Sequence, residues 1–208
     1  MAAYKSERRQ QQALATRRDI LQTARRLFAA RGYAATSVGD IAREAGVAIQ
    51  TIYASCGSKR ELVLALVDTI DAEAEVATLA GRLAQSDEPE EIISLGVRIT
   101  RQLNERCGDI VSALLSAAAV EPDAAAAAEE GKRRHREGSA RTARKLHSLG
   151  GLRDGLSADD AAALIATVTW QPVYAQLTHE HNWTYDECER WLTTMLIRSL
   201  LRGPNSTG

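Results

Sequence analysis

The stretch Asp40–Leu62, DIAREAGVAIQTIYASCGSKREL, limits what this chain can fold into more than any other. It reads as two very short helices with Gly46–Val47 turning between them. Helices of that length are marginal alone in water, because the costly first turn is spread over few residues. Neighbouring segments must therefore hold them. Upstream, TRRDILQTARRLFAARGY places Ile20, Leu21, Ala24, Leu27 and Phe28 on one helical stripe that Gly32 ends. Thr36 and Ser37 are candidate N-caps, with Asp40 three residues after Ser37. The first short helix runs to Ala45 and buries Val38, Ile41 and Ala42; the second runs from about Ala48 to Ala54 on Ile49 and Ile52. Gly57 breaks it, and Ser58 caps a following helix with Glu61 at N3. That helix carries Leu62, Val63, Leu66, Val67 and Ile70, and its pattern extends towards Leu83.

Farther on, QSDEPEE is a loop that places Pro89 at a helix start. Helices are predicted over 89–105, 109–120 and 122–148, separated by Gly108 and by Glu121–Pro122. GGLRDGLS is a connector whose Ser157 caps the next helix with Asp160 at N3. Two long segments follow, 157–179 and 184–202, the second capped by Thr184 with Glu187 at N3, the first kinked by Pro172.

Ala, Leu, Arg and Glu dominate, aromatics are 4% of 208 residues, and β-branched runs are few, so the fold class is all-α. No apolar run approaches the ~20 residues of a spanning helix. The first residues, MAAYKSERRQQQALATRR, lack the apolar core of a secretory signal, and the expected location is the cytoplasm. Cys56, Cys107 and Cys188 are odd in number and far apart, which fits reduced thiols better than a disulfide framework, a paired-cysteine metal site or a redox sensor. Residues 1–70 hold 11 Lys/Arg against 6 Asp/Glu, whereas residues 71–208 hold 15 against 21. A basic first third on an acidic remainder points to a polyanion contact at one end.

A short helix, a glycine turn and a second short helix is the helix-turn-helix plan. One helix braces across the backbone, and the N-terminal residues of the other reach base edges in the major groove. The segment Arg17–Val63 resembles the DNA-binding region of the TetR family of transcriptional repressors. The resemblance rests on Gly32, Tyr33, Thr36, Ser37, Asp40–Ala42, Ala45–Val47, Thr51–Tyr53, Ser58, Lys59 and Leu62. It implies that Thr36, Tyr53 and Lys59 meet phosphates and that Thr51 touches backbone or base. Ile49 and Gln50 lie at the start of the reading helix, where an aliphatic chain can meet a thymine methyl and Gln can pair with adenine. Arg43 is either a further phosphate or groove contact or a solvated charge. Thr36 has a purely capping alternative, and Tyr53 a partly core one.

The chain departs from the family pattern at three places. Ala48 stands where a capping Ser is usual, Gln50 where Gly is usual, and Ser55–Cys56 where an aromatic pair is usual. Cys56 is expected to fill the buried aromatic position with a smaller group. The N-terminal Arg8, Arg9, Arg17 and Arg18 are either a basic arm reaching flanking DNA or part of a loose tail.

The resulting division is a basic arm over 1–16, a three-helix DNA-binding domain over 17–63 and a larger helical domain over 64–208, with about nine helices. The last two helices, WQPVYAQLTHEHNWTYDECERWLTTMLIRSLL, are similar to those of many family members. The resemblance implies that they pair two copies into a dimer, which suits a palindromic DNA operator. It also implies a small-molecule effector pocket in the C-terminal domain. Leu103, Asn104, Trp170, Gln171 and Tyr174 are its candidate lining, with Leu114 and Leu115 on facing walls; ordinary core is the alternative for each. No cofactor is implied, and the partners are duplex DNA, a second copy and an unidentified effector, with no membrane. The rival readings are a dimeric DNA-binding regulator without a ligand, a thiol sensor, and an enzyme. The chain offers no phosphate loop or nucleophile elbow to an enzyme, and His179-Glu180-His181 lacks the spacing that puts two metal ligands on one helical face.

Overall fold

The computed structural model describes residues 2–74 and 76–202, and side chains from residue 8 onward except Asp71. Among the described residues there are eleven α-helices, one π-helical turn and an isolated antiparallel bridge between Leu152 and Leu201. The helices are α1 (Ala2–Arg31), α2 (Val38–Ala45), α3 (Ile49–Cys56), α4 (Lys59–Val67), α5 (Ile70–Ala74) and α6 (Ala77–Gln85). They continue as α7 (Pro89–Ala118), α8 (Pro122–Ser148), α9 (Ala158–Val168), α10 (Gln171–Ala175) and α11 (Tyr185–Leu200), with the π turn at Gln176–Glu180. The chain is thus all-α, as its composition predicts.

The helix starts follow the sequence closely. Ser37 accepts a hydrogen bond from the Asp40 amide at 3.1 Å, and Asp40 accepts one from the Ser37 amide at 3.1 Å, a reciprocal capping box. Ser58 with Glu61 and Thr184 with Glu187 repeat it, and Ser157 accepts from the Asp160 amide. The α3 start has no such partner: Ala48 occupies the cap and offers no side-chain acceptor. Two helix ends need glycine. Gly46 closes α2 at φ 67°, and Gly57 closes α3 at φ 79° and ψ −146°, a region closed to side-chain-bearing residues.

Contacts divide the chain into two compact units. The first comprises residues up to Ile70 together with Asp109–Glu129. Here α1 packs on α2, α3 and α4, and the buried side chains include Ile20, Ala24, Leu27 and Phe28 of α1, Ile41 and Ala42 of α2, Ile52 and Cys56 of α3, and Leu62, Val63 and Leu66 of α4, whereas the expected Leu21, Val38, Val67 and Ile70 are half-buried and Ile49 is exposed. The second unit comprises Asp71–Gly108 and the residues from Glu130. Its core joins Ile92, Ile93 and Val97 of α7, Ala143 and Leu146 of α8, Ala161 and Ile165 of α9, Tyr174 of α10, and Cys188, Leu192, Leu196 and Leu200 of α11.

Four boundaries differ from expectation. The first helix begins at Ala2, so residues 2–16 continue α1. Gly108 does not end a helix: α7 runs through it from Pro89 to Ala118, because a lone interior glycine costs only about 1 kcal/mol and tertiary packing outweighs that. The pattern after Val67 does not continue as one helix; the Thr69 hydroxyl donates to the Leu66 carbonyl at 2.8 Å where α4 ends. The 157–179 segment is broken rather than kinked. Thr169 turns its hydroxyl onto the Ile165 carbonyl at 2.7 Å, Trp170 is extended, and Pro172 sits in the first turn of α10, where its missing N–H leaves no donor unused.

Candidate nucleic-acid interface

The first unit assembles a reading head from α2 and α3, and the side chains of α3 divide cleanly. Ile52 is 0% exposed and Cys56 is buried, facing the core, whereas Ile49 is 44% and Tyr53 56% exposed. Gln50 is exposed beside Ile49, and Thr51 is half-buried. Two large apolar or aromatic side chains on the open face of an eight-residue helix have no role in this unit's core, and both can contact the groove or backbone of a duplex. Ala48 gives the start of α3 no side-chain cap, although the Thr51 amide donates to the Ala48 carbonyl at 2.9 Å, and a phosphate oxygen is the kind of acceptor a helix start favours.

The structure sorts the other expected contact residues. Thr36 differs from expectation: it is 1% exposed, and its hydroxyl donates to the Gly32 carbonyl at 2.9 Å and the Leu27 carbonyl at 3.4 Å. That hydroxyl fastens the loop to α1, and Ser37, one residue later, is the cap. Arg43 is exposed on α2 and ion-pairs with Asp40 one turn back. The same Asp40 accepts from Ser37 side chain and backbone, and these bonds, with Arg43 behind them, hold its carboxyl down at about 2. Lys59, at the first position of α4, is half-buried; its ammonium donates to the Tyr33 carbonyl at 3.1 Å and lies 4.1 Å from the centre of the Tyr33 ring.

Three links that the sequence did not suggest tie this head to residues 109–129 of the same unit. Arg25 makes a two-pronged pair with Asp109, at 2.5 and 2.8 Å. The buried Tyr33 donates its phenol proton to Glu121 at 3.0 Å, and Arg60 pairs with Asp123 at 2.8 Å. Burial first, and then the bond to Glu121, push the Tyr33 phenol well above its ordinary value, so it stays protonated. A fourth link lies within the head itself: Arg17 of α1 reaches over and donates to the Ser55 carbonyl beside the buried Cys56. Partners 38 to 88 residues apart leave no local spacing signal, which is why these links were not legible. Of the other arginines considered for an arm, Arg8 and Arg9 are exposed on α1 and Arg18 is exposed near Arg17.

In the second unit two of the candidate pocket residues, Asn104 and Tyr174, share one polar cluster. Asn104 donates to the Thr100 carbonyl at 2.8 Å, the Thr100 and Tyr174 hydroxyls bond at 3.1 Å, and Tyr185 donates to the Asn104 carbonyl at 3.2 Å while its ring stacks 6.3 Å from that of Tyr174. Gln171 donates to the Gly108 carbonyl at 3.5 Å, and Trp170 lies against His135, ring centres 5.1 Å apart. Asn104, Gln171 and Tyr174 are buried; Leu103 and Trp170 are half-buried. Thr100, Tyr185 and His135 were missed, although Thr100 and Asn104 are one helical turn apart on α7 and that spacing was readable. Leu114 and Leu115 belong to the first unit.

The sequence and fold match known proteins in the same terms. Residues 20–66 match the model of the bacterial regulatory proteins of the tetR family. That match lies wholly within the first unit. Its matched residues contain α2, α3 and their bracing stripe from Ile20 to Leu66, the same unit that the exposed face of α3 singles out. The chain is 43% identical over 63 residues to the HTH-type transcriptional regulator TtgR of Pseudomonas putida, a match covering 30% of each protein. The matched stretch thus spans under a third of that relative's length. Over 90% of its length the fold is similar to a putative transcriptional regulator from Saccharomonospora viridis solved in complex with choline, at a TM-score of 0.73, 22% identity and 98% of that chain. It is similar also to NalD, the secondary repressor of a multidrug efflux pump in Pseudomonas aeruginosa, at 0.70, 20% identity, 91% of this chain and 98% of that one.

Proposed function

We propose that this protein is a dimeric DNA-binding transcriptional regulator of the bacterial cytoplasm, a repressor that leaves a palindromic operator when a small molecule binds its C-terminal unit. The observation that carries the reading is the open face of α3, where Ile49, Gln50 and Tyr53 are exposed over a buried Ile52. Arg43, Thr51 and Lys59 complete the proposed DNA surface. Thr36 does not belong to it, since its hydroxyl is used within the chain.

Dimerisation is supported by Leu164 and Trp191, 43% and 45% exposed on α9 and α11, two helices that pack on each other within the unit. Large apolar groups left open on adjacent helices are the usual mark of a protein interface. A two-fold pair of reading heads fits a palindrome. Effector binding is supported by the polar cluster around the buried Asn104 and Tyr174, and by the similar fold solved with choline. Release would follow if the effector bound better to the conformation with the wrong half-site spacing.

The test is selection of sites from a random duplex pool by the full chain. A palindromic consensus supports the reading, and its loss of occupancy in a metabolite screen supports the effector. A stable operator complex that no screened compound alters favours a regulator without a ligand.

A further inference from the structure

Lys59 is held before any DNA arrives, by a ring and a carbonyl rather than, as Arg43 is, by a carboxylate. Its long stem would ordinarily leave the ammonium free to roam, at an entropic cost on binding. Here the ammonium sits 4.1 Å over the Tyr33 ring and spends one of its three donors on the Tyr33 carbonyl at 3.1 Å. The ring is itself immobilised: Tyr33 is fully buried, packs 5.3 Å from Phe28 and donates its phenol proton to Glu121 at 3.0 Å. Donation to a carboxylate enriches the ring in electron density, which strengthens its hold on a cation. Glu121 stands immediately before α8, and Asp123, in the first turn of α8, pairs with Arg60, the residue after Lys59.

We propose that Tyr33 and Glu121 are positioning residues for DNA binding: the start of α8 sets the Tyr33 ring, and the ring sets the Lys59 ammonium at the phosphate it neutralises. The proposal rests on the DNA-binding reading above. It makes an unexpected demand on sign. Glu121 is an anion in the unit that meets DNA, and simple charge counting says that removing it strengthens binding to a polyanion. If Glu121 acts through Tyr33 and Lys59, removing it weakens binding.

The experiment measures the affinity of the full chain for a duplex enriched from a random pool, across a salt series, for wild type, Tyr33→Phe, Glu121→Ala, Lys59→Ala and the two doubles with Lys59→Ala. Each of Tyr33→Phe and Glu121→Ala should weaken binding about threefold to tenfold, and neither should weaken it further once Lys59 is gone. Each should also flatten the salt dependence by up to the ~0.9 log units per log unit of salt carried by one phosphate contact. A merely structural role would lower the fraction of active protein without changing that slope. Equal or tighter binding by Glu121→Ala, or the same loss repeated in the Lys59→Ala background, overturns the proposal. Glu121→Gln, which keeps the side-chain shape, gives the same reading on sign should Glu121→Ala not fold. A wild-type chain that retains no duplex removes the DNA-binding reading and this proposal with it; a binding wild type with uncoupled variants removes this proposal alone.

Discussion

Ile52 and Tyr53 are adjacent in the chain and opposite in exposure, and that single step around α3 separates what holds the head together from what it offers to DNA. Gln50 lies on the offered side, exposed beside Ile49. Gln50→Ala should therefore relax preference at one base pair per half-site, losing ~1–3 kcal/mol of discrimination there, as site selection with the variant would show. An equal loss on every sequence would make Gln50 a backbone contact instead. Asp40 carries a prediction on pH. Its carboxyl sits near 2, below its ordinary value of ~3.9, because Ser37 and Arg43 stabilise the charged form. A carboxyl lowered by folding stabilises above its unfolded value, and that contribution is lost as pH falls through the folded one. Denaturation midpoints of wild type and Asp40→Ala should thus differ at neutral pH and converge as pH drops from about 4 towards 2. Residue exposure on α3 was legible from the resemblance, which puts Ile49, Gln50 and Tyr53 towards DNA, whereas apolar spacing alone groups Ile49 with the buried Ile52. The use of Thr36 was not, since a hydroxyl next to a cap can serve either the helix start or a carbonyl behind it.

Each of the four side-chain caps read from Ser or Thr with an acid three residues on is present, since that motif is local and satisfies orphan amides within one turn. Helix interiors were less legible. Gly108 reads as a break, yet α7 continues through it, because the packing that decides the matter comes from residues remote in sequence. A Cβ at Gly108 would meet nothing nearer than the Tyr185 hydroxyl at 4.0 Å, an ordinary contact. Gly108→Ala should accordingly stabilise the chain by about 0.5–1 kcal/mol and raise its melting temperature. At α3 the missing cap can be restored: Ala48→Ser should add about 1 kcal/mol, read in the same thermal melts. An Ala48→Ser chain no more stable than wild type would mean that the α3 amides are satisfied in some other way.

At the scale of the molecule, the asymmetry of charge is the clearest sign of division of labour. The head and its neighbours up to residue 70 carry an excess of Lys and Arg, and the remainder an excess of Asp and Glu. None of the described helices is long and apolar enough to cross a membrane. Trp191 and Leu164 remain open on the acidic part, and sedimentation should find a dimer that Trp191→Glu converts to monomer, with operator affinity falling as the second half-site contact is lost. A Trp191→Glu chain that stays dimeric would move the interface elsewhere.

The central claim is that a palindromic duplex is gripped through α3 and several phosphates. The most direct test is the affinity of the full chain for its selected duplex across a range of salt, with Tyr53→Ala and Lys59→Ala alongside. The account predicts log affinity falling linearly with log salt at a slope of about −0.9 per phosphate contacted, steeper for wild type than for either variant. A salt-independent affinity, or variants that bind as wild type does at every salt, would contradict it.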